Sequence, residues 1–307
     1  MRAVRLHRTG SPLENAELPD PQPRDDEIVV DVRAAGICHS DAHYRAVRGR
    51  INLPLTLGHE VAGVIRGTKQ RVALHYLFDD GDMIGKERDG GYAEQIVAQR
   101  HNAIPIPDGV SFEHAAIMMC STATAWHALR LAGIRAGESL AIIGFGGLGV
   151  SAIQLARVLG VSRVCVSDVV EEKLALAKSF GASTELEPVD VALEFSGNAE
   201  AALHALRVLK PGGRLMIVAI NLRRFEIDPY TDVLAKERRI IGCADHTRDE
   251  LVELLALARR REIDLSRAIT RRVALDANAI NAVLDDLDRG TAHLRTVITT
   301  PYSSSVP

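Results

Sequence analysis

Two periodicities divide the chain. In the first third, apolar residues come in short runs of β type, at 27–35, 61–65, 92–97 and 103–106. Gly, Pro and Asp separate the runs, which predicts strands of a mostly antiparallel, irregular domain. The rhythm then changes. Residues 140–143 form a short continuous apolar run, and 148–159 has helical spacing that stops at Gly160. Next come a strand at 163–167, a helix at 171–180 with Gly181 as its C′ residue, and a strand at 189–195. A helix at 199–209, the turn Pro211-Gly212-Gly213 and a strand at 214–220 follow. Strands and helices alternating at this length predict an α/β domain with a doubly wound parallel sheet covered on both faces. Helices near 247–260 and 276–289, a strand at 294–299 and the polar tail Ser303-Ser304-Ser305 close the chain. The expected domains are 1–120 together with 247–307, mostly β, and 121–246, the parallel α/β unit.

Composition narrows the class. The chain has 307 residues, 47% hydrophobic and 25% charged, the balance of an ordinary globular protein with room for two domains. A net charge of −3 gives no electrostatic case for nucleic acid or an anionic membrane. The arginine groups Arg223-Arg224, Arg259-Arg260-Arg261 and Arg271-Arg272 read as solvated faces. The N-terminal stretch has no apolar core of a signal peptide, and no run is long enough to span a bilayer, so a cytoplasmic location is expected. The four cysteines, Cys38, Cys120, Cys165 and Cys243, form no disulfide-like framework, as suits a reducing compartment. Cys165 and Cys243 lie in strand-like runs and read as buried core thiols.

One motif points to a dinucleotide. Gly144, Gly146 and Gly149 fit the G-x-G-x-x-G spacing, with Gly147 and Leu148 inside it, after an apolar strand and before a helix. The first glycine makes a tight turn, the second lets backbone approach a pyrophosphate, and the third lets helix pack on strand. Asp168 lies 19 residues beyond Gly149, at the end of the second strand. A carboxylate there hydrogen-bonds ribose hydroxyls and repels a 2′-phosphate, which favours NAD over NADP. Lys173, a little further on, belongs to the same candidate cofactor set.

Two polar clusters and one later cysteine make a second constellation: Cys38-His39-Ser40-Asp41-Ala42-His43, Gly58-His59-Glu60 and Cys120. Cys38, His59 and Cys120 offer two thiolates and an imidazole, with the Glu60 carboxylate adjacent. Such a set leaves one position open on a tetrahedral zinc, as catalysis needs. Taken singly, each residue also has an ordinary reading. Either cysteine could be a small buried hydrophobe, and His59 a hydrogen-bonded structural histidine.

The order of these motifs resembles the zinc-containing medium-chain dehydrogenase/reductases, the alcohol dehydrogenase family. Its carriers are Gly36-Ile37-Cys38-His39-Ser40-Asp41, Leu57-Gly58-His59-Glu60-Val61-Ala62-Gly63, Asp89-Gly90-Gly91-Tyr92-Ala93-Glu94, the glycine fingerprint, Leu209-Lys210-Pro211-Gly212-Gly213-Arg214 and Leu294-Arg295-Thr296-Val297-Ile298. The resemblance implies a Rossmann domain beside a mostly β, GroES-like catalytic domain. It implies one catalytic zinc per chain on Cys38, His59 and Cys120, a ligand set known from alcohol dehydrogenase, with Glu60 as an alternative ligand and Asp41 orienting His59. It also implies a proton relay from Ser40 through the nicotinamide ribose to His43. His39 and Arg295 would contact the pyrophosphate, and Thr124 would stand beside the nicotinamide. The implied reaction is reversible hydride transfer between a primary or secondary alcohol and NAD, giving an aldehyde or ketone. The implied assembly is a homodimer or homotetramer through the Rossmann domain, with no nucleic-acid or membrane partner.

The chain also departs from the family pattern. The span 77–89, where many relatives bind a structural zinc through four cysteines, has none. The hairpin after Gly63 and the span 181–190 look trimmed, so a shortened member is expected. Two rival readings stay open: a zinc-free quinone or enoyl reductase of the same superfamily, and a non-catalytic NAD-binding regulatory protein. Arg45, Arg48 and Arg50 read as surface charges, and Tyr76, Phe78 and Trp126 as candidates to shape a cleft.

Overall fold

In the computed structural model, which describes residues 1–46, 51–221, 223–290 and 294–300, the chain divides into two units. The first comprises Met1–Cys120, Leu251–Arg261 and Leu265–Pro307, and the second Ser121–Glu250 with Glu262–Asp264. Arg48, Arg50 and the serine tail lie outside the described residues.

The first unit is organised by one long strand, Glu27–Ile37, whose sequence EIVVDVRAAGI is buried at nearly every position. It takes three antiparallel partners. Gln95–Gln99 pairs its first half, Arg295–Thr299 its last residues, and Glu60–Ile65 most of its length. Register shifts between Val32 and Ala34. An irregularity there bends the strand, between the stretches that pair with Gln95–Gln99 and with Arg295–Thr299. Arg71–Leu74 and Ala103–Pro105 continue the sheet on one side, and Ile269–Ala274 on the other. Val30, Val32, Val61, Val72, Leu74 and Ile298 are fully buried in its core. Each such side chain taken from water stabilises by roughly 1.5–3 kcal/mol.

This register builds one end of the sheet. Gly36 stands opposite Glu60, and Ile37 opposite Thr296. The end of Glu27–Ile37 and the starts of Glu60–Ile65 and Arg295–Thr299 therefore meet. Cys38, His59, Glu60 and Arg295 emerge together, although Glu60 and Arg295 are 235 residues apart.

The second unit is a parallel sheet ordered Arg163–Ser167, Ser139–Ile143, Val189–Glu194, Leu209–Ile217, Arg239–Gly242. Ser139–Ile143 is buried at all five positions, as a central parallel strand requires. The strand order reverses beside it, where doubly wound sheets bind ligands. The helices Gly147–Val158, Glu171–Ser179 and Ala199–Arg207 follow the strands in turn. Cys165 and Cys243 are buried, as expected. Between Glu171–Ser179 and Val189–Glu194 the chain meets the sheet only through a single parallel bridge, Ser183 to Cys165. No helix among the described residues is long and apolar enough to cross a membrane.

Several expected elements shift. Pro211-Gly212-Gly213 lies within the strand Leu209–Ile217, where a register irregularity on the Val189–Glu194 side absorbs the extra residues. The strand expected at 92–97 runs instead from Gln95 to Gln99, because Tyr92 leaves the ladder to bury its ring. The helix His39–Arg45 has no counterpart in the expected elements, and its seven residues carry half of the polar cluster.

One charged cluster ties the parallel sheet together. Asp190 accepts hydrogen bonds from the Ser139 N–H at 2.8 Å, the Ser139 hydroxyl at 2.6 Å and Lys210 Nζ at 2.8 Å. Burial raises its carboxyl pKa, but these donors outweigh burial and bring it down to about 2. An unfolded aspartate titrates near 3.9, so the folded value is depressed. Its stabilisation is then present above roughly pH 4 and lost as pH falls toward the folded value. Asp190→Asn should cost about 1.5 kcal/mol at neutral pH in urea melts, and the gap should narrow from about pH 5 to about pH 2. A gap that stays constant with pH would contradict the assignment.

Candidate active site

The Cys38, His59, Glu60 and Cys120 ligand atoms lie within 4.8 Å of one another. The two thiols are 4.0 Å apart. Two sulfurs held by tetrahedral zinc at about 2.3 Å would be separated by about 3.8 Å, so the pair fits that ion. Cys120 arrives from a π-helical turn, Met118–Thr122, between the helices Phe112–Ile117 and Ala123–Leu131. Such turns recur at functional sites.

Asp41 is the hub beneath the cluster. It is 0% exposed, with Oδ1 at 3.2 Å from His59 Nδ1. Its Oδ2 accepts the Cys38 N–H at 2.9 Å and the Tyr92 hydroxyl at 2.7 Å. A proton on His59 Nδ1, donated to Asp41, leaves Nε2 as the free ligand atom. Two glycines make room for this arrangement. A Cβ on Gly36 would sit 1.8 Å from Glu60 Oε2. Gly58, at φ +97°, would place a Cβ 2.4 Å from the Tyr92 ring. Tyr92 is a residue that the sequence reading missed. The ring is admitted by Gly58, far from it in sequence, so no local signal marked it.

Charge is concentrated and incompletely balanced. Glu60 Oε2 hydrogen-bonds Arg295, while Oε1 is buried without a partner. Burial lifts the Glu60 carboxyl to about 7 against the pull of Arg295. The hydrogen bond from Cys120 holds the Cys38 thiol well below its usual value despite burial, and His59 and Arg295 add to the effect. The same bond pushes Cys120 well above its usual value. Burial alone would lower His59, but Asp41 outweighs it and raises the imidazole. With the ligands deprotonated as metal binding requires, two thiolates and two carboxylates face one arginine and a neutral imidazole, a surplus of negative charge that suits a bound dication.

The other candidates fall around this cluster or in the second unit. Ser40 Oγ is 3.6 Å from Cys38 Sγ. His43 is buried rather than solvent-facing and stacks on the exposed His39 at 4.5 Å between ring centroids. Arg295, expected at the pyrophosphate, is 5% exposed and paired with Glu60. Arg45 is paired with Asp285 and Asp288. Tyr76 packs edge-on against His59 at 5.6 Å, while Phe78 and Trp126 are buried.

In the second unit, the fingerprint joins Ser139–Ile143 to the helix Gly147–Val158. Gly144 adopts φ +96°, and a Cβ there would meet Ser196 N at 2.8 Å. A Cβ on Gly149 would strike Phe145 at 2.9 Å, whereas Gly146 faces open space. The loop thus leaves a clear approach to the N–H groups at the helix start, as a pyrophosphate requires. Asp168 accepts the Phe145 N–H at 2.7 Å and the Val170 N–H at 2.9 Å, which fixes the acid beside the loop. Lys173 lies early in Glu171–Ser179, and Thr124 is half-buried in Ala123–Leu131.

Comparison with known proteins agrees with this construction. Residues 24–108 match the alcohol dehydrogenase GroES-like domain. An alcohol dehydrogenase of Geobacillus stearothermophilus is 31% identical over 97% of this chain and 99% of its own. An NAD-dependent alcohol dehydrogenase of Sulfurisphaera tokodaii is 28% identical over 78% of this chain and 77% of its own. The solved alcohol dehydrogenase of Aeropyrum pernix superposes with a TM-score of 0.86 at 27% identity, covering 97% of this chain and 100% of that one. With a parallel dinucleotide-type sheet, a GroES-like unit and a relative of this identity along almost its whole length, the chain belongs to the medium-chain alcohol dehydrogenase family.

Proposed function

We propose that this protein is a zinc- and NAD-dependent alcohol dehydrogenase that interconverts a primary or secondary alcohol with its aldehyde or ketone. The observation that carries the reading is the pair of thiols 4.0 Å apart beside a histidine oriented by a buried aspartate. Residues 1–120 with 247–307 are the catalytic domain and 121–246 the cofactor domain. Cys38, His59 and Cys120 hold the metal, and Glu60 is a reserve carboxylate. Zinc supplies Lewis-acid polarisation of the substrate oxygen, and NAD supplies the hydride acceptor. Asp41 fixes the His59 tautomer, and Tyr92 fixes Asp41. Ser40 Oγ takes the proton leaving the substrate hydroxyl, and His43 is the terminal base. His39 and Arg295 supply positive charge for the cofactor phosphates, with Arg295 also holding Glu60. Thr124 and Lys173 complete the cofactor contacts. A panel of alcohols assayed for NAD reduction tests the reading; a metal-loaded protein with which none of the alcohols reduces NAD would sink it.

Asp168 should make NAD the preferred cofactor. Asp168→Ser should reduce the NAD-to-NADP ratio of kcat/KM by about tenfold, roughly 1.4 kcal/mol, by removing ribose hydrogen bonds and 2′-phosphate repulsion. It should also weaken NAD itself, because the Phe145 and Val170 N–H groups lose their acceptor. Wild-type kinetics with equal use of NADP would overturn the assignment.

The protein assembles as a homodimer or homotetramer through the second unit. Arg239–Gly242 ends the parallel sheet, is exposed along most of its length, and stands near Tyr230 and Leu234 in sequence. Those two are 66% and 67% exposed, and Ile240 is 39% exposed. An open apolar edge of this kind invites a second copy. Leu234→Asp should shift sedimentation to monomer while circular dichroism stays unchanged; an unshifted oligomer would place the interface elsewhere.

A further inference from the structure

A second group of metal-type ligands lies in the first unit, apart from the thiols. His39 and His43 stand one turn apart on the helix His39–Arg45, on the same face, with rings stacked at 4.5 Å and 23°. Asp288 ends the helix Ala277–Asp288, and its Oδ1 is 3.8 Å from His39 Nε2. One ligand atom from each of the three lies within 4.8 Å of the others.

The surroundings favour a cation. The last turn of Ala277–Asp288 carries Asp285, Asp286 and Asp288 and no basic residue. Carboxylates at that end oppose the helix dipole, an arrangement that costs stability unless positive charge answers it. Arg45 answers part of it, at 2.6 Å from Asp285 and 3.3 Å from Asp288 Oδ2. Arg271 and Arg289 both answer Asp286, at 3.0 Å and 2.8 Å. Asp288 Oδ1 is thereby left turned toward the imidazoles.

We propose that His39, His43 and Asp288 form a second, exchangeable site for a first-row divalent cation such as Zn2+ or Ni2+. Two imidazoles and a carboxylate suit those ions, with water completing the shell. The His39 and Asp288 side chains are 51% and 38% exposed, so they are free to close the remaining distance and to release the ion. The site needs nothing from the thiol cluster. Its consequence for activity rests on the proposed function: an ion there occupies the histidines assigned to cofactor and proton transfer, so excess metal inhibits in competition with NAD.

The test is equilibrium dialysis of the isolated protein against Ni2+, with zinc content followed so that exchange at the thiols reads separately. One exchangeable Ni2+ per chain is expected, with absorption-edge structure showing two imidazoles. Asp288→Asn should weaken it about tenfold or more, and His39→Gln should abolish it, the retained zinc being unchanged. No Ni2+ beyond exchanged zinc, a shell without imidazole, or binding unaltered in both variants would overturn the site. Saturating NAD should lower the Ni2+ affinity. Ni2+ held equally well with NAD bound would leave the metal site standing and overturn the cofactor role of His39.

Discussion

Cys38→Ser, His59→Ala and Cys120→Ser should each release the metal and nearly all turnover, yet keep NAD binding. Each removes one of three ligands clustered in the first unit, whereas the glycine fingerprint belongs to the other unit. Lewis-acid polarisation is worth several kcal/mol of transition-state stabilisation, so kcat should fall by on the order of a thousandfold or more. The three should differ in fold stability. His59→Ala leaves Asp41 buried with an unpaired oxygen, whereas the two serines are near-isosteric. His59→Ala should therefore melt lowest, by about 1–3 kcal/mol. Calorimetric NAD titration alongside metal analysis separates these effects. A variant with near-normal zinc and activity would remove its residue from the ligand set.

Ser40→Ala should leave zinc and NAD in place but lower turnover by roughly two to four orders of magnitude, the span of a lost acid–base step. Ser40 Oγ lies 3.6 Å from Cys38 Sγ, so it is within reach of an oxygen held at the cluster. His43→Gln should be milder. Small-molecule bases should partly restore its activity. His43 is buried beneath the exposed His39, so rescue should fall as the added base grows. The measurement is the pH–rate profile of both variants with alcohol and NAD. An unchanged Ser40→Ala profile would remove the relay, with substrate exchanging its proton directly with solvent.

The parts of this protein that were readable in sequence are those with a local cause. The fingerprint between Ser139–Ile143 and Gly147–Val158 announces itself because apolar periodicity switches from strand to helix across three glycines. Arg163–Ser167 is apolar and β-branched, and its bounds are as expected. Cys38, His59 and Cys120 stood out by residue type and order, which the family resemblance made specific. What stayed hidden depends on register. The Tyr92 hydroxyl reaches Asp41 only because Gly58 yields space to the ring. Arg295 finds Glu60 only because two distant strands flank Glu27–Ile37. A lone arginine in the apolar run Leu294-Arg295-Thr296-Val297-Ile298 hints at a buried partner, but not which one. His39 and Asp288 likewise meet only through the packing of two helices.

The most direct measurement is metal stoichiometry coupled to activity. Purified protein, dialysed to remove exchangeable ions, should retain about one zinc per chain, since one thiolate-bearing ligand set is present among the described residues. Stripping that zinc should abolish alcohol-dependent NAD reduction, and adding zinc back should restore it. Full activity in zinc-free protein, or two zincs that resist dialysis, would contradict the account.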